Sequence, residues 1–214
     1  MEVTDYAFFP TRVVTIQFAD AESLNAGLCD LFERRPELDD RFNLHPDAQN
    51  LLRLAKTVPA IADLRSKFIT GVKHWLQTEG IAGPEGIDML MFSNRSCRGE
   101  STVVHNHQAD LIGIYYACTA DSHRPPVDPA GGEDYFEAGD GALLLHDPRF
   151  NANLTTVCHR DHVRVFPRPG LMLIFPAYVW HSVTPHRGEF HRLSFAMNFT
   201  LRWPASPTEH HSLI

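Results

Sequence analysis

The sequence predicts a mainly β fold, a sandwich or barrel of short strands supported by helices at the N-terminal end. Short apolar runs rich in Val, Ile, Leu and Phe fill the second half of the chain, and clusters of Pro, Gly and Asp separate them. The first part instead places apolar residues at helical spacing. No helical pattern lies between the strands, which argues against a βαβ fold. We expect a single domain over 1–214, with mostly helical support at 1–86, the β region at 87–202 and a polar tail at 203–214.

Two main helices are expected before the β region. Residues 22–34 carry one apolar face, which is formed by Leu24, Leu28, Leu31 and Phe32. A longer helix is expected to begin near Pro59 and to end at Gly80. Between them, Pro46 is expected to open a further helix. These apolar stripes need a flat apolar surface to cover, which a sheet of the β region can supply.

Eight apolar runs are predicted as strands, and they cover 87–94, 102–107, 111–118, 141–147, 162–166, 171–175, 180–186 and 190–201. The Pro- and Gly-rich segment 124–134 is expected to be a turn region. The last run alternates in two ways. One face is apolar, with Leu193 and Phe195, and can pack under the helices, whereas the other begins with Arg192 and Ser194.

The composition argues against several classes of protein. The net charge of −7 makes a nucleic-acid partner unexpected, and no apolar stretch approaches the length of a membrane span. Neither a GxGxxG nor a GxxxxGK[ST] motif occurs, so a nucleotide-phosphate fold is not expected. The four cysteines form no CxxC pair, and the acidic N-terminal stretch lacks the basic region of a signal peptide. We therefore expect a cytoplasmic protein with reduced cysteines.

Histidine is the residue type that stands out. The chain has 13, and only His45 and His74 precede residue 100. Within the β region, His105 and His107 are separated by one residue, so on a strand their side chains point to the same face and can converge on one metal ion. Four further histidines of the β region are expected at the surface or rim: His159, His162, His186 and His191.

A third histidine lies far downstream in the sequence PGLMLIFPAYVWHSV. His181 begins the strand that follows a Pro-marked turn. If the sheet closes into a barrel, His181 can face His105 and His107 and complete a three-residue site. Such a site leaves coordination positions open, which is typical of a catalytic metal centre. Eleven residues beyond His181, Arg192 can point inward and hold a carboxylate in a bidentate pair, with Ser194 adding a hydrogen bond.

As a set, these motifs resemble the Fe(II)/2-oxoglutarate-dependent oxygenases, in particular their bacterial branch. The resemblance spans about 87–200 and includes the strand LIGIYY at 111–116, the segment ending in His181 and the sequence RLSFAMNF at 192–199. The tripeptide Asp-Pro-Arg at 147–149 is also similar to one that the family often carries. The resemblance implies a double-stranded β-helix, the jelly-roll barrel of this superfamily, with the N-terminal helices buttressing one sheet.

The resemblance also implies the cofactors and the reaction. Fe(II) would be the metal and 2-oxoglutarate the cosubstrate, with its far carboxylate paired to Arg192 and Ser194. Tyr115, or its neighbour Tyr116, and Asn94 are further candidates for lining the cosubstrate pocket, and of the two tyrosines we select Tyr115. The enzyme would hydroxylate a small molecule or a peptide, and exposed sheet edges would allow a homodimer.

One departure from the family leaves the ligand set open. Most members carry Asp or Glu where this chain has His107, and the nearest carboxylate is Asp110. Either three histidines bind the metal, or His105 and His181 bind it with Asp110 as the third ligand. A three-histidine site is also similar to cupin-like dioxygenases that do not use 2-oxoglutarate. A third alternative is a barrel that binds a metal or small molecule without catalysis.

Overall fold

The computed structural model describes residues 10–39, 50–119, 127–128, 141–149 and 162–204. Two α-helices occur in this part of the chain, and both were predicted: α1 (Glu22–Arg34) and α2 (Pro59–Thr78). Their buried residues recur at helical spacing and form one face each. Short 3₁₀ turns cover Pro36–Leu38 and Leu51–Lys56. The second of these lies where a longer helix was expected, whose predicted start at Pro46 is outside the described residues.

The strands of the described chain are β1 (Val14–Gln17), β2 (Gly86–Ser96), β3 (Thr102–His105), β4 (Leu111–Cys118), β5 (Val127–Asp128), β6 (Leu143–His146), β7 (His162–Val165), β8 (Leu171–Pro176), β9 (His181–Val183) and β10 (Arg192–Arg202). They form two five-stranded sheets. The major sheet has the order β1-β8-β4-β10-β2, and the minor sheet has the order β3-β9-β6-β7-β5. Every pairing is antiparallel, as expected for strands without helical crossovers.

The major sheet is covered on both faces, which gives the protein two apolar cores. On the helix side, α1 and α2 pack against alternate residues of β4, β8 and β10, among them Tyr115, Ile174 and Phe195. On the other side, residues of both sheets meet in the barrel interior, among them Ile114 and Val183. The predicted alternation of the last strand is therefore confirmed, because Leu193, Phe195, Met197 and Phe199 all pack under the helices.

Close approach between α2 and the major sheet depends on one glycine. Gly113 of β4 faces the helix, and a Cβ atom built there would lie 2.6 Å from Cε1 of Phe68. Phe68 is fully buried, and its ring occupies the space that a larger residue at 113 would need. The helices therefore rest on the sheet where a side chain is missing.

Two strands were not predicted. β1 lies in the region expected to be helical, and Val14 pairs with Ile174 at the edge of the major sheet. β5 lies in the segment expected to be a turn, and Val127 pairs with Val165. Both are short, four and two residues, so neither offers the alternating pattern that identifies a strand from sequence. Neither α-helix of the described residues combines the length and apolarity needed to cross a bilayer.

Candidate metal centre

Three histidines meet where the two sheets come together. One ring nitrogen from each of His105, His107 and His181 lies within 4.8 Å of the others. The ring centroids of His105 and His181 are 4.3 Å apart, and those of His105 and His107 are 5.0 Å apart. No carboxylate belongs to this cluster, which in the part of the chain that the structure describes is the one group able to hold a metal ion.

Strand pairing in the minor sheet fixes two members of the cluster. His105 ends β3 and lies opposite His181, the first residue of β9. His181 also lies opposite Leu145 of β6, which packs into the barrel interior. His107 comes after the end of β3, and its backbone N–H donates to the carbonyl of Ala177 at 3.3 Å. The strand therefore includes His105 but ends before His107, so strand alternation does not position the second histidine. A backbone contact with the turn before β9 positions His107 instead.

Backbone carbonyls orient two of the imidazoles. Nδ1 of His105 lies 2.8 Å from the carbonyl oxygen of Val103, and Nδ1 of His181 lies 3.0 Å from that of Val179. A carbonyl only accepts, so Nδ1 carries the proton in both rings and the lone pair is on Nε2. Metal-binding histidines are commonly held in this way, because the second-shell acceptor fixes both tautomer and ring orientation.

The environment also keeps the imidazoles neutral. Burial lowers the pKa of His181 to about 3, and burial together with the nearby His105 lowers the pKa of His107 to about 4. The nearby Asn198 side chain acts in the opposite direction on the pKa of His107. Neutral imidazole is the form that coordinates a metal. Two of the three rings are thus poised as ligands at neutral pH.

Three further side chains contact the cluster, and we did not single them out from the sequence. The ring of Phe92 stacks on His107, with centroids 6.0 Å apart and an angle of 16° between the planes. Phe175 packs edge-on against His181 with centroids 5.3 Å apart. Asn198 lies beside His107 and acts on the pKa of its ring, while Oδ1 of Asn198 is buried without a hydrogen-bond partner among the described residues. Phe92 is two residues from Asn94 on β2 and therefore shares its face. The selection of Asn94 from the sequence could therefore have led to Phe92.

Asp110, the alternative third ligand, faces another part of the molecule. Its carboxylate accepts a hydrogen bond of 2.6 Å from the backbone N–H of Leu201, and its own N–H donates to Phe199. The chain bends at residues 108–110, immediately before β4. Asp110 thus ties the start of β4 to β10, and it is not part of the histidine cluster.

Arg192 lies on the barrel side of β10, the same side as Asn198, and is 1% exposed. Nη1 donates to the carbonyl of Gly141, and Nη2 lies 3.4 Å from Oγ of Ser96. Nε is buried without a partner among the described residues. None of these residues contributes a carboxylate that neutralises the guanidinium. A buried cation without a counterion is costly, so this end of the barrel is suited to an anion.

Gly141 permits this arrangement. Its φ of +65° is in the left-handed region, and a Cβ atom built there would lie 2.9 Å from Nη1 of Arg192. The absence of a side chain thus lets the carbonyl of residue 141 approach the guanidinium. Burial lowers the pKa of Arg192, although an arginine remains charged at neutral pH.

Ser194 and Asn94 lie beside Arg192. Oγ of Ser194 donates to the backbone carbonyl of Asn94 at 3.3 Å, and Oγ of Ser96 donates to Oδ1 of Asn94 at 3.3 Å. The sequence-based grouping of Arg192, Ser194 and Asn94 therefore corresponds to one cluster of polar side chains. Asn94 is half-buried, and Ser194 is buried.

The placement of Tyr115 corrects our selection between the two tyrosines. The side chain of Tyr115 packs in the helix-side core, and its hydroxyl donates to Oδ1 of Asn25 in α1 at 2.6 Å. It cannot line a pocket inside the barrel. Tyr116, the next residue on β4, points the other way, and its ring centroid lies 5.9 Å from Cζ of Arg192. Strand alternation alone could not say which of the two tyrosines faced inward.

His186 also differs from expectation. It was expected at the surface or rim, yet it is 1% exposed. Its Nε2 lies 2.6 Å from the carbonyl oxygen of Phe190, and its Nδ1 is buried without a partner in the described chain. The residue precedes an exposed turn, and no apolar pattern around it indicated burial.

The family of the chain follows from its sequence. Residues 90–198, about half of the chain, match a family model described as "Putative 2OG-Fe(II) oxygenase". The protein therefore belongs to this family of 2-oxoglutarate- and Fe(II)-dependent oxygenases. The match includes all three clustered histidines and Arg192. No curated protein matches the sequence significantly.

Solved structures show the same fold at low sequence identity. A prolyl-4-hydroxylase from Pseudomonas putida is 14% identical, with a TM-score of 0.55 over 89% of this chain and 92% of that chain. HygX from Streptomyces hygroscopicus with iron bound is 13% identical, with a TM-score of 0.58 over 89% of this chain and 82% of that chain. HygX with nickel and 2-oxoglutarate bound gives a TM-score of 0.56 at 13% identity, with the same coverage. The two sheets thus form the expected jelly-roll barrel.

Proposed function

We propose that this Fe(II)- and 2-oxoglutarate-dependent oxygenase binds iron through His105, His107 and His181, and binds the far carboxylate of 2-oxoglutarate through Arg192. The observation that carries the proposal is the pairing of two features on one barrel-facing side of β10. Asn198 lies beside the histidine cluster, and Arg192 further along the strand is a buried cation with no counterion among the described residues. A 2-oxoglutarate molecule bound to iron at the histidine cluster would present its far carboxylate to Arg192.

The donor set of the cluster fits Fe(II). Imidazole is a suitable ligand for iron, and three ligands on one side leave coordination positions open. Carbonyl acceptors already hold His105 and His181 with Nε2 available. The described residues add no fourth donor that would close the site. An open site distinguishes catalysis from a purely structural metal role.

The second cluster fits a carboxylate. Arg192 presents a planar guanidinium that can pair with two carboxylate oxygens, and Ser194 beside it can rotate its hydroxyl toward the same group. Tyr116 covers the guanidinium with its ring face, and burial raises the pKa of its phenol to about 12. The phenol therefore stays neutral and does not compete for the positive charge.

The chain's own residues orient the reactants and exclude water. When bound, the iron and 2-oxoglutarate supply the oxidative chemistry, in which O₂ converts the keto acid to succinate and CO₂ and hydroxylates a substrate C–H bond. Arg192 and Ser194 fix one end of the cosubstrate, while Phe92 and Phe175 pack against the imidazoles and limit their movement. The apolar residues of the barrel interior would exclude water from the space between the two clusters.

The histidine cluster also favours a second candidate function. Its three neutral imidazoles carry no carboxylate, so the bound iron would be more positive than in a site of two histidines and one carboxylate. A three-histidine dioxygenase that does not use 2-oxoglutarate has the same donor set. The buried charge of Arg192 is the reason that we rank the 2-oxoglutarate enzyme first, because the second candidate gives this charge no role.

An assay of succinate formation separates the two candidates. Reconstituted protein is supplied with Fe(II), O₂ and 2-oxoglutarate, and succinate is quantified by mass spectrometry with and without the cosubstrate. We expect enzyme-dependent succinate even without a prime substrate, at a low uncoupled rate. Succinate no greater than in an iron-only blank, from protein that holds iron, would favour the second candidate.

The surface next to His181 indicates the kind of prime substrate. Tyr178 and Trp180 are exposed in the turn that leads into His181, which supports a small molecule or peptide with an apolar part as the substrate.

The edge strand β3 exposes Val103 and Val104, which supports a homodimer. Light scattering on the purified protein tests the oligomeric state. The charge of −7 supports partners other than nucleic acid, and free thiols at Cys29, Cys97 and Cys118 support a cytoplasmic location.

A further inference from the structure

Two cysteines far apart in the sequence meet on the helix side of the major sheet. Cys29 belongs to α1 and Cys118 ends β4, and their thiols lie close enough for each to shift the pKa of the other. Both are free thiols, and both are half-buried at the edge of the helix-side core. This pair lies outside both polar clusters of the barrel, and the proposed oxygenase chemistry gives it no role.

A change in strand register brings Cys118 to this side. Simple alternation would place Cys118 on the barrel side with Ile114 and Tyr116. The pairing of β4 with β10 shifts by one residue at its end, because Tyr116 lies opposite Ser194 whereas Cys118 lies opposite Leu193. Such a β-bulge redirects the side chains that follow it. Leu193 packs in the helix-side core, so Cys118 lies on the helix side with it.

A neighbouring hydrogen bond holds α1 in register with β4. The hydroxyl of Tyr115 donates to Oδ1 of Asn25 at 2.6 Å. Asn25 and Cys29 are four residues apart on α1, and residues at that spacing share one helix face. The Asn25 contact with Tyr115 therefore sets Cys29 against the end of β4, where Cys118 lies. The two thiols are held together by the fold and not by local sequence.

The proximity of the two thiols makes them chemically different. The neighbouring Cys29 thiol lowers the pKa of the Cys118 thiol to about 6, against the opposing effects of burial and of Glu33. The same contact raises the pKa of Cys29, with burial and Glu33 acting in the same direction. The thiolate is the nucleophile in thiol chemistry. Cys118 is thus the attacking thiol, and Cys29 is the protonated neighbour that can resolve its oxidised form.

We propose that Cys29 and Cys118 are a modification site that forms a reversible disulfide when hydrogen peroxide reaches the pair. The Cys118 thiolate attacks one peroxide oxygen, the O–O bond breaks, and hydroxide leaves, which gives a sulfenic acid. The sulfur of Cys29 then attacks the sulfur of Cys118, the S–O bond breaks, and water leaves with the Cys29 proton. Two thiols are oxidised and one peroxide is reduced to two waters. A small thiol reverses the reaction by exchange.

The bond would fasten α1 to the major sheet. It closes a long loop of chain between residues 29 and 118, which restricts the unfolded chain and raises the stability of the folded one. We expect the oxidised protein to melt several degrees above the reduced protein. The effect is independent of the metal centre, since it requires neither iron nor 2-oxoglutarate.

The test uses the full chain with Cys97→Ser and Cys158→Ser, so that only the pair remains. The protein is treated with hydrogen peroxide in the presence of a chelator that suppresses iron chemistry, then unfolded and alkylated, and its peptides are analysed by mass spectrometry. We expect a linked peptide pair containing Cys29 and Cys118, loss of both alkylatable thiols, and full reversal by dithiothreitol. The melting temperature should rise on oxidation and fall again on reduction.

Single substitutions assign the two roles. In Cys29→Ser, Cys118 should accumulate as a sulfenic acid that dimedone traps, and the melting temperature should not rise. In Cys118→Ser, Cys29 should react with peroxide at least tenfold more slowly than the parent pair, because burial and Glu33 still raise the pKa of Cys29 when the Cys118 thiol is absent. Independent oxidation of the two thiols without a linked peptide would overturn the proposal. Equal peroxide reactivity of both single variants would overturn the assignment of Cys118 as the attacking thiol.

Discussion

The rings of His107 and His181 lie almost parallel, with 4° between their planes and 5.1 Å between their centroids. One follows the end of β3, and the other begins β9. A contact between Ala177 and the backbone of His107 joins the two segments, so the pair depends on the turn before β9 as well as on the sheet. With His105 they bring three ring nitrogens within 4.8 Å of one another, and each proposed ligand can be tested separately.

Removing one of the proposed ligands should greatly weaken iron binding. In His105→Ala, we expect Fe(II) affinity to fall by more than about 100-fold, because even the loss of a second-shell partner costs about 10- to 100-fold. His74→Ala is the matched control, since His74 is an exposed histidine of α2. Bound iron is measured by metal analysis after anaerobic loading and desalting. Equal iron in both variants would remove His105 from the ligand set.

The two models of the ligand set differ at Asp110. Its carboxylate bonds to the backbone of Leu201, so Asp110→Asn should keep wild-type iron content within about twofold. His107→Asn should lose iron as His105→Ala does. Anaerobic titration with Fe(II), monitored by the thermal stability of each variant, compares them. The model with Asp110 as third ligand predicts the opposite order.

Arg192 should set the affinity for 2-oxoglutarate without affecting the metal. Arg192→Lys keeps the charge and most of the volume but loses one of two charge-assisted hydrogen bonds, which are worth about 1.5–3 kcal/mol each. We expect a roughly 10- to 150-fold higher dissociation constant with unchanged iron content. Arg202→Lys on the same strand is the control, because Arg202 is exposed and pairs with exposed Asp88. Calorimetry with the Mn(II)-loaded protein measures both.

Gly113→Ala should destabilise the fold at the junction of α2 and the major sheet. The new methyl group would lie 2.6 Å from the buried ring of Phe68, and overpacking of this kind costs about 1–3 kcal/mol. We expect a melting temperature lower by about 2–10 °C. Gly83→Ala serves for comparison, since a Cβ atom at 83 has nothing within 4 Å. Similar melting temperatures for both variants would contradict the packing described.

The sequence was sufficient for features with a strong periodic pattern. Both α-helices and the long strands β2, β4 and β10 follow their predicted ranges closely. Each helix buries one regular face, and β4 is an almost continuous run of buried residues. The polar and apolar faces of β10 were correctly separated for the same reason, which placed Arg192 with Ser194. These predictions needed only the local alternation of side chains.

Features that depend on tertiary contacts could not be predicted in this way. β5 is a strand only because Val127 meets Val165 of β7. Tyr115 and Tyr116 are adjacent residues of the same type, and only the orientation of the sheet decides which one faces the helices. The bulge that turns Cys118 toward Cys29 is likewise a property of the pairing between β4 and β10.

The most direct test of the oxygenase site is the visible spectrum of the anaerobic complex. Fe(II) is added to the metal-free protein, followed by 2-oxoglutarate, and the charge-transfer absorption of the chelate is recorded. The site described here predicts a band that appears only when both are present, that vanishes in His105→Ala, and that requires higher 2-oxoglutarate in Arg192→Lys. Iron-loaded wild-type protein without a band at saturating 2-oxoglutarate would contradict it.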